Sequence, residues 1–264
     1  MGLSVVKNIP RGGGRWLDVA PERFSRWIAS FAERHGDGPP GSSLAIAVTS
    51  ADVIYTAPDG AIAKCYPPFW ESQVALPAHA DAPPAGEAAR VITGHALADR
   101  AVGVLLVRLG GYAAGVFTGS PPVLAAHKTG SRLVHGRSAA GGWSQQRFAR
   151  RREKQASEAT LAAADAAARV FGRWGDGATR SGDEESAEGR QSRVGGTRGT
   201  DLDVVVFGGD KRAVAKASAD SRLAPYAELA TGRFLTVPDP KLDVLRDAPR
   251  LFLAIRILLT EPPA

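Results

Sequence analysis

The residues best suited to chemistry stand together between His135 and Gln155, in the run HGRSAAGGWSQQRFARRREKQ. Ala139 to Gly142 are too small to build a core, so they are expected to form an exposed tip between a strand and a helix. Ser144 is a good N-cap, which places Gln145 and Gln146 in the first helical turn. Backbone N–H groups there lack an intrahelical acceptor and can face an anion or a developing oxyanion. A glutamine amide neither takes nor gives a proton near neutrality, so its use is to hold a water by hydrogen bonds and to shape a site.

Directly behind the glutamines come Arg147, Arg150, Arg151, Arg152 and Lys154, with Arg147, Arg151 and Lys154 on one helical face. Cations at a helix start oppose the helix dipole and repel one another, each effect costing about 0.3–1 kcal/mol at exposed sites. An RNA backbone offsets that cost, because each phosphate neutralised releases condensed counterions. An ordinary solvated basic face is the competing explanation.

Other chemistries find less support. His127 and His135 lie eight residues apart with no Cys, Asp or Glu between them, so a metal-ligand set is not expected. No G-x-S-x-G elbow exposes a serine nucleophile. The turns at Gly110-Gly111 and Gly208-Gly209 match neither nucleotide-binding glycine pattern, so no nucleotide cofactor is expected. Phe207 to Asp210 fits either a ligand cradle at a strand end or a plain turn. Cys65 is the single thiol, which excludes an internal disulfide and a cysteine-based metal site.

These residues need elements to carry them. Phe24, Trp27, Ile28 and Phe31 follow helical spacing, with Asp18 or Ala20 before them, Pro21 in the first turn and Gly36 after, which predicts a core-facing helix over about 18–36. Leu44–Thr49 and Val53–Thr56 read as paired strands joined by Ser50-Ala51-Asp52. Ala75–Ala89 reads as an exposed connection. Val102–Arg108 and Tyr112–Thr118 flank Leu109-Gly110-Gly111 as a hairpin, and Arg132–Arg137 is another strand candidate. A long helix is expected over Ser144–Phe171, ending at Gly172. Residues 173–200 are polar and glycine-rich and are expected to be a flexible loop. Leu202–Phe207 reads as a central strand, turned by Gly208-Gly209 into a helix over Asp210–Ala219. A strand at Phe234–Val237, a helix at Lys241–Arg250 and a strand at Leu253–Leu259 complete a mixed β-sheet flanked by helices, an α/β (α+β) class.

The chain has 264 residues, 44% of them hydrophobic, which suffices for a substantial core. Its net charge is +6, yet Lys128 to Arg152 holds seven cations (Lys128, Arg132, Arg137, Arg147, Arg150, Arg151, Arg152) and no acid, so everything else nets −1. The basicity is local, which fits a phosphate-rich partner contacted at one place. No secretory leader or membrane span is legible, and with one thiol a cytoplasmic setting is expected.

At the run His135–Gln155 the sequence resembles the release-factor-like peptidyl-tRNA hydrolases of ribosome quality control, in particular their compact actinobacterial branch. RWLDVAPERFSRWIASFAERHG, LDVVVFGGDKRAV and RLAPYAELATGRFLTVPDP add pattern-level support, and GSRLVHGRSAAGGWSQQRFARRREKQ is the specific motif. The resemblance implies one catalytic domain over 1–264, similar to the middle domain of eukaryotic and archaeal class I release factors. It implies a tip of glycine, two residues and glutamine, matched here by Gly142-Trp143-Ser144-Gln145. The glutamine role then falls on Gln145, with Gln146 as the alternative, and Gly141 and Gly142 make the turn. Trp143 and Ser144 depart from the release-factor tip.

The implied reaction is water attack on the ester joining a stalled nascent peptide to tRNA, on the ribosome and without metal or organic cofactor. Arg137, Arg147, Arg150, Arg151, Arg152 and Lys154 would hold rRNA or tRNA phosphates. Trp143 would stack on a base, an interaction worth about 1–3 kcal/mol, or anchor the loop. Membrane and DNA are not implied partners, and a monomer is expected. Cleavage within the tRNA 3′ end, and non-catalytic rRNA or tRNA binding, are the two alternatives.

Overall fold

A computed structural model describes residues 14–36, 44–70, 84–108, 111–131, 142–177 and 201–262; within the 142–177 helix, side chains are described from 157 to 174. The chain divides into two compact units, one comprising residues up to Ala98 together with Arg250 onward, the other Asp99–Pro249. Each has its own sheet with helices packed on it, so the α/β class expected from sequence holds. Arg132–Arg137, Gly141 and residues 178–200 lie outside the described residues.

The first unit is a five-stranded antiparallel sheet in the order β1 (Arg15–Val19), β10 (Ile255–Thr260), β4 (Ile62–Tyr66), β3 (Val53–Thr56), β2 (Ala45–Val48). Helix α1 (Pro21–His35) starts as its sequence dictates, with Ala20 extended at the N-cap and Pro21, which has no N–H to lose, at the first position. Its aromatic stripe is core: Phe24, Ile28 and Phe31 are buried, and Trp27 stacks on Phe31 with centroids 5.6 Å apart. The β2–β3 turn is built by Thr49, whose Oγ1 accepts the N–H groups of Ala51 and Asp52 and donates to Asp52 Oδ1 at 2.9 Å. Lys64 Nζ meets the buried Asp52 carboxylate at 3.0 Å, so that charge is paired as burial requires. Burial pushes the Cys65 thiol well above its usual range, which leaves it inert.

One expectation is corrected here. Ala85–Ala89 does not belong to an exposed connection; it opens helix α2 (Ala85–Ala96), and Ala88, Ala89 and Ile92 are fully buried. Alanine has the best helix propensity and lets α2 approach α1 closely, which the Ala- and Pro-rich composition of the stretch conceals.

The second unit is a mixed sheet in the order β7 (Val123–Ser131), β6 (Gly111–Thr118), β5 (Val102–Arg108), β8 (Val204–Gly209), β9 (Ala230–Leu235). β5–β6 and β6–β7 are antiparallel, and β5–β8 and β8–β9 are parallel. The expected hairpin and central strand are therefore present. Gly208-Gly209 ends β8 rather than forming a separate turn. Gly209 has φ +102°, and a Cβ there would collide with the Val107 carbonyl oxygen. Asp210 then caps α4 (Lys211–Ser218), its Oδ1 accepting the Ala213 N–H at 2.8 Å.

After α4 come a short 3-10 turn (Ser221–Leu223), α5 (Ala224–Ala227) and β9. The last strand of this sheet occupies 230–235, several residues before the Phe234–Val237 expected. Register sets it: Phe234 pairs with Phe207 and Leu235 with Gly208. The single helix expected over Lys241–Arg250 is two, α6 (Leu242–Arg246) and α7 (Ala248–Phe252). Pro249 explains the break, since proline fits a first turn but removes a hydrogen bond and clashes inside a helix.

Helix α3 (Gly142–Gly177) packs across β6 and β7 through Ala163, Ala166, Ala167, Val170 and Phe171, all buried. It runs past Gly172, where it was expected to stop. A glycine costs about 1 kcal/mol in a helix interior, and the buried Val170 and Phe171 beside the half-buried Trp174 offset that cost. Residues 173–177 are accordingly helix and not loop. Arg222 ties the 3-10 turn to α3, donating to Asp165 Oδ1 at 2.9 Å and, through two nitrogens, to Asp220 at 3.0 and 2.9 Å.

Three measurements check these assignments. Gly209→Ala forces a side chain into a left-handed backbone against a carbonyl and is expected to lower stability by about 1–3 kcal/mol in a denaturant melt. Gly172→Ala, with open space around the added methyl, is expected to raise it by about 0.5–1 kcal/mol. The Arg222 guanidinium holds the Asp220 carboxyl down to about 2 and also lowers Asp165. A depressed carboxyl contributes stability above its unfolded value of about 4 and loses it as pH falls through the folded value. The difference in Tm between wild type and Arg222→Gln is therefore expected to be full at neutral pH and to shrink from about pH 4 toward about pH 2.

Candidate functional site

The glutamine-bearing segment is held by its C-terminal continuation. From Ala159 to Phe171, α3 presents small side chains to the sheet, and alanine lets the helix axis lie close to the strands. Gly142 is 17 residues before Ala159, about 25 Å along the axis at helical rise. A rigid helix thus carries the N-terminal turn a long way from the packed section that aims it.

α3 begins at Gly142, two residues earlier than expected, so Ser144 is its third residue and not its cap. Extending a helix toward its N-terminus adds one backbone hydrogen bond per residue, which offsets the entropy of ordering Gly142. The consequence is chemical. The leading N–H groups without an intrahelical acceptor belong to Gly142, Trp143 and Ser144, whereas Gln145 and Gln146 follow as the fourth and fifth residues. An anion at this end would meet the tip backbone first, with the glutamines one turn behind.

Arg147, Arg150, Arg151, Arg152 and Lys154 all lie on α3, and its first turn contains no acidic residue. From Gly142 to Arg152 the helix carries four arginines and no carboxylate. Arg137, His135 and Gly141 lie outside the described residues. Lys128 and His127 are exposed on β7, the edge strand that precedes the tip. Sequence reasoning missed β7, the element that precedes α3 in chain order. It pairs with β6 from Val123 to Ser131, and Tyr112 lies over Gly130, where a Cβ would come within 2.5 Å of the ring. The glycine is the signal: an aromatic residue on one strand covers a bare backbone on the next.

Among the described residues no group of His, Cys, Asp and Glu is arranged to hold a metal ion, and no helix is long and apolar enough to cross a membrane. The other glycine motif, Gly208-Gly209-Asp210, is explained by close packing on Val107 and by the α4 cap.

No curated protein matches the chain. Among solved structures it is similar to an archaeal translation termination factor, aRF1, at 12% identity and a TM-score of 0.35, covering 75% of this chain and 51% of that one. A second archaeal protein is similar at 13% identity and a TM-score of 0.31, covering 74% and 48%. The Vms1 mitochondrial localization core is similar at 11% identity and a TM-score of 0.31, covering 81% and 78%. The chain thus spans about half the length of the two archaeal proteins. A family model described as the Actinobacteria/Chloroflexi VLRF1 release factor matches residues 100–258, which include the second sheet and the whole of α3. Since that match extends over more than half of the sequence, the protein belongs to the actinobacterial and Chloroflexi VLRF1 release-factor family.

Proposed function

We propose that the protein hydrolyses peptidyl-tRNA on the ribosome, releasing stalled nascent peptides, and that both compact units act as one release-factor-like catalytic domain over residues 1–264. The observation that carries this reading is Gln145 in the first turns of a helix that has four arginines and no acid up to Arg152, in a chain of a release-factor family.

The chemistry follows from what those groups can do. Water attacks the carbonyl carbon of the ester, the bond to the tRNA 3′ oxygen breaks, and a free peptide carboxylate and tRNA are left. Gln145 has no useful proton affinity, so it orients the water by hydrogen bonds instead of activating it as a base. Gly141 and Gly142 admit the tip to a narrow site. The N–H groups of Gly142, Trp143 and Ser144 are the donors available to charge developing on the attacked carbonyl. Arg137, Arg147, Arg150, Arg151, Arg152 and Lys154 hold RNA phosphates, and Trp143 stacks on a base. Surrounding RNA supplies the remaining electrostatics. No metal or organic cofactor enters the reading, which places a monomer in the cytoplasm with the ribosome and peptidyl-tRNA as partners.

Two experiments test it. On ribosomes holding peptidyl-tRNA, Gln145→Ala is expected to slow release about a hundredfold or more, as loss of one positioned hydrogen-bonding group does, with ribosome binding retained. Release at the wild-type rate overturns the glutamine role, and a large loss in Gln146→Ala alone moves it by one residue. A tRNA product shortened at its 3′ end identifies cleavage of the RNA in place of ester hydrolysis. The triple variant Arg150→Ala, Arg151→Ala, Arg152→Ala is expected to weaken ribosome binding and to reduce the slope of log affinity against log salt by roughly 2–3. Unchanged binding would remove the arginines from the interface.

A further inference from the structure

The first sheet carries a surface that the release reading leaves unused. Strand alternation turns Tyr55, Cys65, Ile255, Ile257 and Leu259 into the core with α1 and α2. It turns Trp16, Arg256, Tyr66 and Lys64 to the opposite face, where none of them is buried. Register brings them together across three strands: Arg256 on β10 stands opposite Tyr66 on β4, and Trp16 on β1 stands opposite Leu258 on β10. The Trp16 and Tyr66 ring centroids are 5.6 Å apart at an interplanar angle of 43°. The Arg256 guanidinium lies 4.5 Å from the Trp16 centroid, and Lys64 Nζ lies 5.5 Å from that of Tyr66.

Two large aromatics left partly in water, each with a cation beside it, present π faces next to positive charge. Arg256 is exposed and lies against the Trp16 ring, where an arriving phosphate can reach its guanidinium. Two carboxylates border the cluster: Asp52 is buried and matched by Lys64, and the exposed Asp18 on β1 stands opposite Arg256 in the register without forming an ion pair with it among the described residues. A polymer with a flat π face and a negative charge on every unit complements this surface: a base stacks on a ring or on a guanidinium plane, and a phosphate meets the cation. A sheet face bearing aromatic rings suits unpaired nucleotides, since bases within a duplex are already stacked.

We propose that the outer face of β1, β10 and β4 binds unpaired RNA, with bases stacking on Trp16 and Tyr66 and Arg256 meeting a phosphate. The choice of RNA among polyanions rests on the ribosomal reading above, but the binding needs no catalysis by Gln145.

The test uses the full chain and an oligouridylate of about ten nucleotides carrying 4-thiouridine, photo-cross-linked and mapped by mass spectrometry. Cross-links are expected within Arg15–Val19, Ile62–Tyr66 and Ile255–Thr260. Trp16→Ala is expected to weaken binding about fivefold or more, and Trp16→Phe, which keeps a π face, to retain most of it. Arg256→Gln is expected to lower the salt slope by about 0.7, the value for one phosphate of a single strand. The proposal is overturned by cross-links confined to Lys128–Lys154, or by Trp16→Ala and Arg256→Gln proteins that melt and bind like wild type. Protection of Trp16 by an amphipathic peptide but not by the oligonucleotide overturns it too, assigning the face to a protein partner. Peptide release is not read in this experiment, so a failed release assay leaves its outcome intact, and the converse holds.

Discussion

Burial of the alanine stripe of α3 against the second sheet fixes everything placed at the helix's other end. Ala163, Ala166 and Ala167 remove little apolar area each, but their size lets the helix axis approach β6 and β7 closely enough for Val170 and Phe171 to seat. The interface therefore resists both rotation and tilt, because a larger residue at any of these positions would have to push the helix off the strands. Arg222, bridging Asp165 on the helix to Asp220, adds a polar tie on the exposed side. A helix fixed over its last turns transmits that direction along a rise of about 1.5 Å per residue. The position of Gly142 is thus decided by packing far from it.

The same helix carries an electrostatic conflict at its start. Four arginines stand within the first eleven residues with no carboxylate among them, and like charges three or four residues apart on a helix repel one another. Packing of the C-terminal section holds the helix together in spite of this. A phosphate-rich environment reverses the sign of the conflict, since dipole, free N–H groups and guanidinium groups then all attract the partner. Net charge follows the same logic. A chain that nets −1 outside one segment of +7 concentrates its attraction for polyanions in that segment.

Residue type made some features legible and register hid others. The stripe Phe24, Trp27, Ile28, Phe31 and the run of valines in β8 announce a helix and a central strand, because their periodicity has one physical solution. β7 was invisible: Ala125, Ala126, His127, Lys128 and Gly130 have little strand propensity and are held in place by pairing with β6. α2 was hidden by its alanines, and α3 ran past both expected ends because burial outweighed glycine at Gly172 and backbone bonding outweighed it at Gly142. The candidate site was legible as a motif, since Gly141, Gly142, Gln145 and the arginines are contiguous. Trp16, Lys64, Tyr66 and Arg256 had no such signal. They are spread from one end of the sequence to the other, and only the register of β1, β10 and β4 assembles them.

The central claim is spatial: packing of α3 delivers its N-terminal turn to the ester that holds the nascent peptide. Cryo-electron microscopy of the protein bound to ribosomes carrying peptidyl-tRNA tests it most directly. The account predicts the Gly142 end of α3 inside the peptidyl-transferase centre, Gln145 within hydrogen-bond reach of the ester or its attacking water, about 3 Å, and Arg147 to Arg152 on RNA phosphates. A bound protein whose Gly142 end points away from that centre, with those arginines in solvent, would contradict it.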